Sequence, residues 1–154
     1  MARNNGICEI KCENEDLRRA AEALNKEFFG GKLIINRVGY FKEVSFEVVG
    51  QAQWGNKGPF NWYGVGINPA MKFAAKKFGF DLNHIILHEL IHIWQYQNDK
   101  LDKDREGHGK WFNAKAMQIM EKNPKYNIKR FSTEDEAKLL RLLKKIRVQK
   151  TMGM

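Results

Sequence analysis

One segment, "NHIILHELIHIWQ" at residues 83–95, constrains the fold of this 154-residue chain more than any other stretch. Apolar residues occur around most of its circumference at helical spacing, which predicts a helix buried in a core. Asp81 is a suitable N-cap, and we expect the helix to run to about residue 97. The segment also contains histidines at 84, 88 and 92, three of the four in the chain. Buried imidazoles and carboxylates need partners, so this helix is expected to contribute to a site.

His88, Glu89 and His92 form the pattern His-Glu-x-x-His. Positions i and i+4 lie on one helical face, so both imidazoles can reach a single ion. Glu89 lies beside that pair and can accept a proton from metal-bound water, which is the general-base geometry of zinc hydrolases. The alternative is a buried helix that matches the pattern by chance. Burial of two imidazoles and a glutamate without partners would be costly, which favours the metal site.

A catalytic zinc site needs a third protein ligand and one open position. The metzincin continuation is absent, because Gln95 and Asn98 stand where that pattern requires Gly and His. His84 is an unfavourable third ligand, since three successive turns spread their side chains over about 12 Å of helix axis. His108 lies between two glycines after a polar loop, which could return it to the helix. A carboxylate such as Glu106 is the alternative, as in sites with two histidines and one glutamate.

The order of the predicted elements indicates an α+β domain, with residues 1–154 forming a single domain. A helix capped by Asn14 comes first and is stopped by Gly30. Three runs rich in Ile, Val and aromatic residues then predict a short antiparallel or mixed sheet: "KLIINRVGYF", "EVSFEVVGQAQW" and "FNWYGVGIN". The histidine helix and C-terminal helices follow, and the last of these begins near residue 132.

The positive charge of the chain is concentrated in its C-terminal part. Of the net +9, residues 110–154 carry twelve Lys or Arg and four Asp or Glu, and the rest of the chain is nearly neutral. Such a basic helical segment favours a polyanionic partner, in particular nucleic acid. The alternative is a solvated surface that keeps the protein soluble. The candidate nucleic-acid-binding residues lie on the last predicted helix and are Lys138, Arg141, Lys144, Lys145 and Arg147.

Aromatic residues around a glycine-rich turn are a second candidate contact to nucleic acid, and they are Trp54, Phe60, Trp62 and Tyr63. One or two of them could stack on unpaired bases, which would favour single-stranded DNA. The alternative is that they pack the sheet against the histidine helix.

The composition predicts an intracellular protein, located in the cytoplasm or with DNA at the nucleoid. Charges interrupt the N-terminal segment, which therefore does not resemble a signal peptide. No apolar run is long enough to cross a bilayer. Cys8 and Cys12 are expected to be reduced thiols, because two cysteines cannot form a disulfide framework. We expect a monomer that does not bind membranes.

Two segments, "HELIHIWQYQND" and "DKDREGHGKWF", together resemble the SprT-like zinc metalloproteases, which include the Spartan proteases of DNA–protein crosslink repair. The segments "LNKEFFGGKL" and "GVGINPAM" are similar to the family's opening helix and to the strand that precedes the site. The resemblance extends over about residues 17–120. The chain has no cysteine after Cys12, so it resembles a minimal form without the C-terminal zinc ribbon of many members.

This resemblance implies a small zincin-like metalloprotease domain with one Zn²⁺ ion bound by His88, His92 and His108. It gives Glu89 the role of catalytic base in a zinc-dependent endopeptidase that cleaves DNA-associated proteins, as in repair of DNA–protein crosslinks. Protein substrates and DNA are then the expected partners. Two alternatives stay open: a non-catalytic, zinc-stabilised DNA-binding protein, and a hydrolase whose metal-activated water attacks a phosphodiester.

Overall fold

The structure, a computed structural model of the chain, describes residues 8–45, 48–57, 60–78, 81–102, 108–128, 141–142 and 144–145. Its named elements are α1 (Glu15–Phe29), β1 (Arg37–Tyr40), β2 (Gly50–Lys57), β3 (Phe60–Ile67), α2 (Ala70–Phe78), α3 (Leu82–Gln97) and α4 (Lys110–Lys122). This order confirms the predicted α+β class. The single domain of residues 1–154 stays a prediction. The start of the last predicted helix, near residue 132, lies outside the described residues.

The three strands form one mixed sheet in the order β1-β3-β2. β1 runs parallel to β3, with Val38 opposite Val65, and β2 runs antiparallel to β3, with Ala52 opposite Val65. β2 therefore lies at an edge, and no other strand within the described ranges pairs with its outer side. Both β2 and β3 pack against α3. An edge strand thus lies alongside the helix that carries the histidines.

The helix α1 begins and ends where the local sequence predicts. The Asn14 side chain accepts a hydrogen bond of 3.0 Å from the Leu17 N–H and caps the first turn. Gly30 has a φ of 62°, a left-handed conformation that glycine adopts without strain, and there the helix ends. The buried amide of Asn25 then bonds both backbone groups of Leu33 and holds the chain as it leaves α1. α1 packs against α3 and supports it from one side.

The helix α3 is central to the fold, as its sequence predicts. Six of its apolar side chains are fully buried: Ile85, Ile86, Leu87, Leu90, Ile91 and Ile93. The elements α1, α2, α4, β2 and β3 pack around it. Despite this apolar composition, no helix in the described part of the chain has the length and hydropathy of a membrane span. Because its neighbours enclose α3, packing fixes the directions in which its polar side chains point.

Gly39, in strand β1, lies so close to the N-terminal segment that no side chain fits. A Cβ added there would lie 2.0 Å from the backbone oxygen of Cys12. We expect Gly39→Ala to push that segment away from β1 and to lower the free energy of unfolding by about 1–3 kcal/mol, measured by urea denaturation. The matched control is Gly55→Ala in β2, where an added Cβ meets no atom within 4 Å. Equal losses in the two variants would contradict this prediction.

Candidate metal centre

Three imidazoles converge between α3 and the start of α4. His88 and His92 lie one turn apart on α3, and His108 precedes α4 by two residues. The Nε2 atom of His108 lies 2.9 Å from Nε2 of His88 and 3.0 Å from Nε2 of His92. Among the described residues, these three alone form a cluster of His, Cys, Asp or Glu side chains that could hold a metal ion. The structure therefore brings together the three histidines that the sequence indicated.

The donor set of this cluster fits a metal ion. One imidazole N–H cannot serve both of its neighbouring ring nitrogens well, whereas a cation accepts a lone pair from all three. Ligands of tetrahedral zinc lie about 2.0–2.1 Å from the ion and hence about 3.3 Å from one another. The observed Nε2 separations of 2.9 and 3.0 Å are close to this spacing. Imidazole also binds copper, iron and nickel, so the donor set indicates a transition metal without selecting one.

Phe112, in the first turn of α4, packs against all three imidazoles. Its ring centroid lies 4.8 Å from that of His88, 4.9 Å from that of His92 and 4.8 Å from that of His108. The Phe112 side chain is itself buried. One side of the cluster is therefore apolar and closed to water, which strengthens electrostatic interactions within it.

Glu89 is buried between α3 and β2, with only 5% of its surface exposed. Its Oε1 atom accepts a hydrogen bond of 3.0 Å from the Ala52 N–H of β2. Gly50 makes room for this contact, because a Cβ there would lie 2.6 Å from Cγ2 of Ile85 and 3.3 Å from Oε2 of Glu89. Glu89 is not part of the histidine cluster. The preceding residue, His88, belongs to that cluster, and the Ala52 N–H of the edge strand fixes the Glu89 carboxylate.

A glutamine holds the imidazole of His92 from the side opposite the cluster. Nδ1 of His92 lies 2.8 Å from Oε1 of Gln95, which is fully buried. Nε2 of Gln95 donates to Oδ2 of Asp102 at 2.9 Å and lies 3.3 Å from the Lys100 carbonyl oxygen. In metal sites, such partners orient the ligating ring. Sequence reasoning considered Gln95 only as a mismatch to the metzincin pattern and missed this role.

Asp102 caps α4 from the preceding loop. Its Oδ2 atom accepts from the N–H groups of Gly109 (2.9 Å) and Phe112 (3.1 Å), and Oδ1 accepts from Trp111 (3.0 Å). Gly109 has an ordinary φ of −90°, but a Cβ there would lie 3.0 Å from Cγ of Asp102. Close approach of this carboxylate thus accounts for a residue without a side chain after His108. Sequence reasoning missed Asp102 because it lies too far before the helix to match a capping pattern.

A family model described as the SprT-like family matches residues 17–132 of the chain. The chain belongs to the SprT-like family. The matched span contains most of α1, all later elements to α4 and the three histidines, and it confirms the resemblance drawn from the sequence. No curated protein and no solved structure gives a significant match.

His84 lies outside the histidine cluster of this SprT-like chain. Its ring packs against Tyr126, with centroids 5.4 Å apart. The neighbouring Asn83 amide donates to the Tyr126 hydroxyl at 3.1 Å. The first turn of α3 is therefore tied to the segment after α4. Glu106, the alternative third ligand, lies outside the described residues.

The candidate DNA-binding residues of the SprT-like chain are described in part. Arg141, Lys144 and Lys145 are exposed and helical. Lys138 and Arg147 lie outside the described residues. The exposed positions are available to a polyanion, and their role in binding stays a prediction.

The aromatic residues near the hairpin differ in their environments. Trp54 stacks on Tyr96 of α3, with ring centroids 4.8 Å apart and planes inclined by 27°. Tyr63 is buried and meets Tyr96 edge-to-face at 5.8 Å. These two residues pack the sheet against the histidine helix, which favours the structural alternative for them. Trp62 is half-buried, and the side chain of Phe60 is outside the described part of the structure.

Proposed function

We propose that this SprT-like chain is a zinc-dependent endopeptidase. The observation that carries the proposal is the convergence of three imidazole Nε2 atoms beside a buried glutamate. Three histidines with one open position are a ligand set of catalytic zinc sites. His88, His92 and His108 would hold the ion, and Glu89 would be the catalytic base. Membership of the SprT-like family supports a metallopeptidase-like activity.

Several residues of the chain would have separate roles in peptide hydrolysis. A bound zinc ion would polarise the scissile carbonyl and lower the pKa of a water molecule at the open position. The Glu89 carboxylate accepts the proton of the attacking water and returns it to the leaving amine. The Ala52 N–H holds Oε1 of Glu89, so the carboxylate keeps one orientation during both transfers. Phe112 excludes water from the side of the histidines against which it packs.

The outer edge of β2 supports a peptide as the substrate. The Ala52 N–H is bonded to Glu89 and not to β3, so the edge of β2 that pairs with no described strand lies beside the base. An extended peptide can add to such an edge by main-chain hydrogen bonds. This placement would bring a scissile peptide bond close to Glu89. A phosphodiester substrate has no comparable support.

The basic C-terminal segment suggests that the peptide belongs to a protein bound to DNA. The charge of residues 110–154 and the exposure of Arg141, Lys144 and Lys145 fit contacts to phosphates. Cleavage of proteins crosslinked to DNA is therefore the activity that we propose. Cys8 and Cys12 are not joined by a disulfide, which fits a reducing compartment, so we propose an intracellular monomer that acts near DNA.

Metal content and peptide hydrolysis together test the proposed function. We expect the purified chain to contain about one zinc ion per molecule, the stoichiometry of a single catalytic site. Treatment with a chelator should abolish cleavage of an unfolded protein substrate, and added zinc should restore it. Protein without stoichiometric metal would overturn the proposal. Zinc-loaded protein that binds DNA, unfolds on chelation and cleaves nothing would instead favour the non-catalytic DNA-binding alternative.

Removal of charge from the last helix tests the DNA contact. We expect the triple replacement of Arg141, Lys144 and Lys145 by glutamine to weaken DNA binding irrespective of base sequence. The slope of log K against log salt should fall by about 0.7–0.9 for each phosphate that the variant no longer neutralises. Fluorescence anisotropy with labelled single-stranded and duplex DNA over a range of salt measures both effects.

A second triple variant is the matched control for this experiment. Lys11, Lys42 and Lys72 are exposed and line one cavity between β1 and α2, with a volume of about 340 Å³. Their replacement by glutamine removes the same charge from a different surface. Equal effects of the two variants would show that the net charge, and not the last helix, determines binding.

A further inference from the structure

We propose that Asp102 is a positioning residue for two histidines of the cluster, His92 and His108. It acts on each of them through a separate set of hydrogen bonds, which we call an arm. Through Gln95 it selects the tautomer of His92, and through the N-terminus of α4 it fixes the backbone that carries His108. The inference rests on the proposed metal site, because Asp102 would orient His92 and His108 for binding a cation. It adds to that site two residues that do not touch the ion.

The direction of each hydrogen bond in this network follows from Asp102. Its carboxylate accepts from three backbone N–H groups, so it presents acceptor oxygens to its surroundings. The side chain of Gln95 must therefore turn its NH₂ group towards Asp102, and its carbonyl oxygen then faces His92. An oxygen acceptor 2.8 Å from Nδ1 requires that Nδ1 carry the proton. Nε2 of His92 is left with its lone pair directed at the cluster.

The Gln95 side chain has the length and the two functional groups that this connection needs. Glutamine accepts at one end and donates at the other, which lets an acceptor-only carboxylate act on an imidazole N–H. An ionised glutamate would accept at both ends and would repel Asp102. Leucine could do neither, and asparagine is shorter by one methylene group. Glutamine at position 95 therefore matches both of the groups that it joins.

The second arm starts from the same carboxylate. Asp102 binds the Gly109 N–H, and Gly109 follows His108 directly in the chain. Further bonds to Trp111 and Phe112 hold the first turn of α4, where a negative charge also interacts favourably with the helix dipole. Displacement of Asp102 would thus release the backbone beside His108 as well as the link to His92.

The tautomer of His92 in the metal-free, full-length protein tests the inference. Long-range ¹H–¹⁵N NMR spectra distinguish a ring protonated on Nδ1 from one protonated on Nε2. We expect Nδ1 protonation in the wild type and a shift towards Nε2 protonation in Gln95→Leu. Zinc affinity, measured by competition with a fluorescent chelator, should fall by about 10–100-fold in that variant.

Two further variants separate the two arms. In Gln95→Glu, the new carboxylate still accepts from Nδ1, so the tautomer should persist while repulsion of Asp102 lowers zinc affinity. In Asp102→Asn, the new amide can donate as well as accept, so the Gln95 amide can adopt either orientation. We therefore expect a mixture of His92 tautomers together with weaker zinc binding. These variants also keep a polar group in place, so they test the inference if Gln95→Leu does not fold.

The control is Gln97→Leu, in the same last turn of α3. Gln97 bonds the backbone of Ile34 at 2.8 and 3.1 Å, away from the histidines. This variant should keep both the His92 tautomer and the wild-type zinc affinity. An unchanged tautomer and affinity in Gln95→Leu and Asp102→Asn would overturn the inference while leaving the metal site intact. A wild type that binds no zinc would instead refute the proposed function, whatever its tautomer.

Discussion

Replacement of Glu89 by glutamine should abolish most peptide hydrolysis while the chain keeps its metal. Glutamine has nearly the same shape, and its side-chain oxygen can still accept the hydrogen bond from the Ala52 N–H. It cannot accept a proton from water, so the rate should fall by about 10²–10⁴-fold, the usual contribution of a general base. A fluorogenic protein substrate measures the rate, and elemental mass spectrometry measures bound zinc in the same samples.

The control for this variant is Glu121→Gln, which makes the same chemical change at an exposed position of α4. It should leave both the rate and the zinc content unchanged. Wild-type activity in Glu89→Gln would remove Glu89 from the mechanism. Loss of zinc from Glu89→Gln would instead indicate that this carboxylate holds the cluster together.

Replacement of His108 by alanine should lower metal affinity more than a change at Gln95 or Asp102. The change removes one of three ligands, so we expect a loss greater than the roughly 10–100-fold caused by removing a residue that only supports a ligand. His108 lies before α4, outside the core helix, so its removal should perturb folding less than removal of His92. Isothermal titration with zinc measures the affinity, and circular dichroism reports whether the helices persist.

His84→Ala provides the matched comparison, because His84 lies on α3 but packs against Tyr126 instead of joining the cluster. We expect this variant to bind zinc as the wild type does. Wild-type affinity in His108→Ala would support Glu106 as the third ligand. Equal loss in His84→Ala and His108→Ala would point to a general defect in folding.

The helix α3 and its histidines could be predicted from the sequence because the relevant signals are local. A capping aspartate, helical spacing and enclosure by apolar side chains determined both its start at Leu82 and its burial. His108 could be identified because the chain has few histidines and the loop before it is polar. The resemblance to the SprT-like family pointed to the same three residues.

The links among Gln95, Asp102 and the start of α4 could not be predicted in the same way. They join side chains to backbone groups across a loop, and such contacts leave no periodic pattern. The length of the first strand could not be predicted for a related reason. The run "KLIINRVGYF" predicts a ten-residue strand, but only Arg37–Tyr40 pairs with β3. The length of a strand depends on how many of its residues find a partner on another strand. The preference of residue types for strands does not contain that information.

The sequence separation of the ligands has a consequence for chain entropy. His92 and His108 are sixteen residues apart, so an ion bound by both would close a ring that contains the whole loop between α3 and α4. A covalent cross-link around a ring of this size stabilises a protein by about 3 kcal/mol by restricting the unfolded chain. The ion would act as a removable cross-link of the same kind, and its binding would favour docking of α4 onto α3.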